Sequence, residues 1–147
     1  MVMRNEHAIE HAVRVRAIRG ATTVACDDPA LVCEAVRELL ATIVAENGID
    51  TDEIVSAMFT ATPDLRSVFP ARAARAMGWV DVPMMCASEI DVADAQPRCL
   101  RVMLHVERFV GAPAVRHVYL REAIALRPDL CRAAMAEDAL AGVGAAM

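Results

Sequence analysis

The chain has 147 residues, 20 of them acidic and 15 basic, for a net charge of −5 at pH 7, and 56% of it is hydrophobic. That length fits one domain able to bury roughly 70% of the surface its unfolded chain exposes, and leaves no room for a second. The acidic balance and the scarcity of aromatic residues (one Trp, one Tyr, three Phe) argue against nucleic-acid binding, which rests on cationic neutralisation of phosphates and on base stacking, and no apolar run approaches the roughly 20 residues of a membrane-spanning helix.

The first residues, with Arg4, Glu6, His7, Glu10 and His11, contain no apolar stretch of secretory type, and residues 1–13 read as an N-terminal extension of a single domain that spans 1–147. His7 and His11 have the i, i+4 spacing of metal ligands on a helix, but no third ligand accompanies them and no metal site is expected. The segment 13–19 alternates, with Val13, Val15 and Ala17 on one face and Arg14, Arg16 and Ile18 on the other, which predicts a strand ended by Gly20-Ala21-Thr22-Thr23. Asp27-Asp28-Pro29 then opens a helix, an aspartate capping its free amides and the proline fitting its first turn. Apolar residues from Leu31 to Val44 recur at three- and four-residue spacings until Asn47-Gly48, where glycine supplies a left-handed cap.

Ile54 to Ala61 reads as a second strand, broken by the polar turn Ala61-Thr62-Pro63-Asp64. A short helix over Pro70–Met77, closed by Gly78, carries Arg72 and Arg75 about one turn apart on one face. Val82–Ala87, Arg98–Glu107 and Val115–Leu120 are three further strands. In the fourth strand Leu100, Val102, Leu104 and Val106 share one face, and Cys99, Arg101, Met103 and His105 the other. Arg101 is thereby set among mostly uncharged neighbours, a costly place for a cation without a partner. One long helix covers one face of a five-stranded sheet; the other face needs a cover, and self-association is its simplest source. After Leu130 the Ala- and Gly-rich segment 131–147 reads as a flexible tail. The five cysteines, Cys26, Cys33, Cys86, Cys99 and Cys131, are odd in number and form no Cys-x-x-Cys pair, which suits free thiols in a reducing cytoplasm.

All 15 basic residues are arginine. GC-rich coding explains most of that bias in a chain also rich in Ala, Val and Asp, while a planar, permanently charged fork also suits carboxylate recognition. Position decides between the two. The blocks Arg16-Ala17-Ile18-Arg19-Gly20-Ala21-Thr22-Thr23, Ala61-Thr62-Pro63-Asp64-Leu65 into Val68-Phe69-Pro70-Ala71, Val82-Pro83 through Cys86 to Glu89, Cys99-Leu100-Arg101-Val102-Met103, and Arg116-His117-Val118-Tyr119-Leu120 with Leu126-Arg127-Pro128-Asp129-Leu130 run in order over most of the chain. Together they resemble the monofunctional chorismate mutases of the trimeric α/β type, which are distinct from the all-helical mutases.

The resemblance implies an α/β (α+β) fold in which a mixed five-stranded sheet, packed by one long and one short helix, trimerises into a pseudo-α/β barrel with active sites between subunits. It implies a cytoplasmic isomerase that rearranges chorismate to prephenate on the way to phenylalanine and tyrosine, without metal or cofactor. Carried over position by position, Arg101 meets the ether oxygen, Glu89 the ring hydroxyl and Arg19 a carboxylate. Tyr119 helps bind a carboxylate and Cys86 lies beside the hydroxyl, while Phe69, Arg72, Arg75, Leu126 and Arg127 line or guard the mouth. Against the net charge of −5, Arg72, Arg75 and Arg127 would supply the local field that draws in a dianion. Arg72 replaces a frequent family lysine, and the loop Asp91–Pro97 lacks the glycines common there. Two other readings remain: a trimeric imine deaminase-like enzyme, which does not predict Glu89 with Arg101 on the next strand, and a non-catalytic carboxylate-binding protein.

Overall fold

The computed structural model of the chain describes residues 12–130 together with Asp138. The His7/His11 pair, Cys131 and nearly all of the 131–147 tail lie outside the described residues. The elements in order are β1 (Val13–Thr23), α1 (Pro29–Asn47), a 3-10 turn (Thr51–Glu53), β2 (Ile54–Ala61), α2 (Pro70–Ala76), β3 (Met84–Ser88), β4 (Cys99–Phe109), β5 (Val118–Tyr119) and a 3-10 helix (Arg121–Leu126). The sheet has the order β3-β2-β4-β1-β5; β4 lies antiparallel between β2 and β1, and the short outer strands β3 and β5 run parallel to their neighbours. It is therefore mixed, with α1 and α2 on one face.

Helix α1 begins and ends as its sequence dictates. Asp28 Oδ1 accepts the Ala30 and Leu31 amides at 3.0 and 3.1 Å, Pro29 occupies the first turn, and Gly48 takes φ 57° beyond the last residue. Asp27 serves elsewhere: its carboxylate accepts the Arg66 and Ser67 amides at 3.0 and 3.1 Å and pins the loop that leads into α2. The α1 stripe Val32, Ala35, Val36, Leu39, Leu40 and Ile43 packs on Ile18, Phe59, Leu100, Val102, Leu104 and Val106 to form the core. The two faces of β4 thus divide as its alternation requires.

Several boundaries differ from expectation, each for a local reason. β1 does not end at Gly20 but continues to Thr23, paired to β4 throughout. Gly20 is there because α1 lies so close that a Cβ would come within 2.6 Å of Ile43 Cδ1, a packing constraint and not a turn. β5 shrinks from Val115–Leu120 to Val118–Tyr119 because side chains take over the preceding backbone groups: Asn47 holds both the N–H (2.7 Å) and the carbonyl (2.9 Å) of Arg116. β3 runs Met84–Ser88 and not Val82–Ala87, since Val82 is buried in the core and Pro83 has no N–H to donate. β4 spans Cys99–Phe109, two residues further than expected, α2 stops at Ala76 with Met77 as its cap, and the 3-10 helix was not anticipated. In the glycine-poor loop Asp94 takes φ 65°, one of the few side chains that enters the left-handed region at small cost.

Candidate active site

The face of the sheet opposite the helices carries the charged groups. Register places Arg101 beside Ala21 on one side and Thr60 on the other, and Arg19 beside Met103. Glu89 arrives just past the end of β3: its amide bonds Ala61 O at 2.9 Å, continuing the ladder by one residue. Its carboxylate then meets Arg101 as a fork, Nε to Oε1 at 2.6 Å and Nη2 to Oε2 at 2.7 Å, and Oε1 also accepts the Thr60 hydroxyl at 2.6 Å. The Arg101 side chain is 54% exposed and that of Glu89 only 12%. The guanidinium holds the Glu89 carboxyl below its ordinary range, outweighing burial, with Thr60 helping; Glu89 in turn raises the pKa of Arg101. The costly strand arginine therefore has its partner, and both groups are fixed as ions.

A cavity of about 220 Å³ opens beside this pair, lined by Arg19, Arg101, Tyr119, Met58, Thr60 and Met103. Arg19 comes from the middle of β1, and its guanidinium makes no hydrogen bond or ion pair among the described residues. Its backbone N–H donates to His117 Nδ1 at 2.9 Å. Tyr119 stands next to Ala21 in the parallel β1–β5 pairing and lies within electrostatic reach of Arg101 and Arg127. Two arginines and a phenol thus converge on one small, partly apolar hollow, an arrangement suited to a carboxylate and a second oxygen of the same ligand.

The other residues singled out in the sequence are not there. Phe69, Arg72, Arg75 and Cys86 line a second cavity of about 410 Å³ at the β3 edge beside α2. Cys86 sits opposite the core residue Phe59 in the β2–β3 register and packs against the core, so its thiol lies on the helix side of the sheet and Arg101 on the open side. Leu126 and Arg127 line neither cavity; Arg127 forks onto Asp129 at 3.1 and 2.9 Å, so its charge is already met two residues away. Three residues with structural claims on the site were not read as site residues in the sequence: Thr60, Asn47, which stood only as the end of the long helix, and His117, which stood only as part of a strand. The only signal was Thr60's place on the open face of β2; the other two act through partners 69 and 98 positions away. Among the described residues no group of three or more His, Cys, Asp and Glu side chains gathers as a metal site.

A family model described as chorismate mutase type I matches residues 15–130. The chorismate mutase AroH of Bacillus subtilis (strain 168) is 43% identical over 117 residues, covering 79% of this chain and 92% of that protein. The chorismate mutase AroH of Thermus thermophilus is 47% identical over 117 residues, 79% of this chain and 96% of the relative. Among solved structures, a chorismate mutase from Clostridium thermocellum superposes with a TM-score of 0.71 at 41% identity, covering 75% of this chain and 98% of that one.

Proposed function

The chain belongs to the type I chorismate mutases, and we propose that Arg101, Glu89 and Arg19 carry its reaction in a site completed between neighbouring copies of a homotrimer. The reaction is that of an isomerase, the intramolecular Claisen rearrangement of chorismate to prephenate. Neither a deaminase nor a non-catalytic binder is supported by these similarities.

A pericyclic rearrangement transfers no proton and forms no covalent intermediate, so a nucleophile–base pair has no task in it. The enzyme's contribution is to hold a flexible diacid in its chair-like reactive conformer and to stabilise the charge that separates in the transition state. Breaking the C–O bond leaves negative charge on the enolpyruvyl oxygen. The fork with Glu89 uses Nε and Nη2 of Arg101 and leaves Nη1 without a partner among the described residues, a fixed N–H edge for that oxygen. Glu89 orients the ring hydroxyl and offsets positive charge on the ring. Arg19 and Tyr119, lining the same hollow, fix a carboxylate.

The division of the site residues supports the proposed assembly. Arg19, Arg101 and Tyr119 share one cavity of a single chain, and Phe69, Arg72, Arg75 and Cys86 share another. A site using both sets is formed when the open face of one copy meets the α2 edge of the next. Arg72 and Arg75, which form no ion pair among the described residues, then bring positive charge to the entrance.

The observation that carries the catalytic reading is the forked Arg101–Glu89 pair at the rim of a hollow that also holds Arg19. Following the disappearance of chorismate tests it. Arg101→Ala is expected to lower kcat by at least about 10²–10³, the cost of one lost oxyanion donor. Equal turnover by the variant and the parent would overturn the assignment.

A further inference from the structure

Arg19 presents its guanidinium to the hollow, yet what fixes its main chain is a ring from another strand. Just before the Gly20–Val118 pairing that begins the β1–β5 ladder, the Arg19 N–H donates to His117 Nδ1 at 2.9 Å, where a strand would ordinarily offer a carbonyl. We infer that His117 is a positioning residue whose neutral ring, carrying its proton on Nε2, holds the Arg19 main chain in register, and that protonation of Nδ1 releases it. The inference rests on the proposed role of Arg19 in binding a substrate carboxylate.

The chemistry permits a single arrangement of the contact. Nδ1 accepts from an N–H only while its lone pair is free, so the ring must be the neutral Nε2–H tautomer. Once protonated, Nδ1 becomes a donor aimed at another donor, and the ring adds a positive charge beside two existing ones. The charged and titratable groups around it are Arg19 from β1, Arg127 beyond the 3-10 helix with its partner Asp129, Arg116 next to it with Glu46 of α1, and Tyr119 on its own strand. Burial, then Arg19 and Arg127, hold the imidazole below its ordinary value of 6.5, so it is neutral at pH 7. No rotation of the charged ring keeps the bond, because both of its nitrogens then carry protons; Asn47 meanwhile holds the preceding residue at both its N–H and its carbonyl.

Three variants and a pH series test this. In the parent protein kcat/KM for chorismate is expected to fall along a one-proton limb that lies below pH 6.5, carried by KM more than by kcat. His117→Ala is expected to raise KM about fivefold at pH 7, the equivalent of one hydrogen bond. His117→Asn keeps an acceptor that does not titrate, and is expected to restore KM and abolish the acid limb. The 15N shift of the Arg19 amide is expected to follow the same proton in the parent and to be flat in His117→Asn. A parent-like KM and pH profile in His117→Ala, or an acid limb that persists in His117→Asn, overturns the inference. Arg19→Ala separates its failure from that of the reading beneath it: if that variant binds substrate normally, the role of Arg19 itself falls, whereas a raised KM there with an unaltered His117→Ala removes only the positioning role.

Discussion

Arg101 and Glu89 neutralise one another at 2.6 and 2.7 Å on the face of the sheet opposite α1 and α2. The pair has a pH signature. Glu89 has a folded-state pKa lowered from 4.5, so the unfolded chain takes up its proton first on acidification. Its contribution to stability is complete above 4.5 and is lost as pH falls through the folded value. Glu89→Gln removes that dependence. The melting temperature of the parent is therefore expected to fall more steeply than that of Glu89→Gln as pH drops below 4.5, while kcat/KM of the variant falls by about 10² at neutral pH, where the lost group no longer offsets ring charge. Parallel melting curves across the acid range would contradict the ion-pair assignment. At this scale the sequence alone was a partial guide. Arg19, Glu89, Arg101 and Tyr119 stood out through their motif blocks, and the strand alternation at Arg101 already asked for a partner. Arginines assigned to composition proved less uniform: Arg108 donates to the carbonyl of Asn47 at 2.6 Å, and Arg121, at φ 54°, reaches Thr23 O and Glu38.

At the scale of elements, β5 is a strand of two residues that carries Tyr119 and follows His117, too short to hold itself by ladder bonds. Asn47, at the buried end of α1, supplies what the ladder lacks. Its side chain bonds Ile43 O at 2.9 Å within its own helix, and both backbone groups of Arg116. Asn47→Ala strands buried main-chain groups and is expected to cost about 2–4 kcal/mol in urea denaturation. In the same variant KM for chorismate is expected to rise, because the segment that bears Tyr119 loses its anchor; an unchanged midpoint would show that water replaces the amide without loss. The long helix was legible from its cap, its stripe and its terminal glycine, since all three are local signals. The ends of β1 and β5 were not. Gly20 reads as a turn until the helix above it is known, and the truncation of β5 depends on a side chain 69 residues away.

For the whole molecule, a net charge of −5 sits on a fold in which the described residues leave one sheet face open. That face and its edge expose Val13 at 51%, Val15 at 56%, Met58 at 38% and Met85 at 65%, apolar area of the kind that stable chains cover with another copy. The open face was readable from the element count, because one long helix cannot serve both faces of five strands; how the two cavities would meet in the proposed trimer was not, because they lie apart in a single chain. Val15 tests the cover without touching a proposed site residue: it lies on β1 opposite Glu107, four residues from Arg19, and lines neither site cavity. Val15→Asp places a charge beside that glutamate, where association would have to desolvate it at a cost of several kcal/mol. Light scattering after gel filtration is expected to give three copies for the parent at micromolar concentration and a shift toward single chains for the variant. Turnover is expected to fall in step, by more than about tenfold, and to recover as protein concentration rises, since Arg101, Glu89 and Arg19 remain in place and lack only the neighbour's Phe69, Arg72 and Arg75. A single-chain variant with parental turnover would mean that the cavity around Arg101 is sufficient on its own.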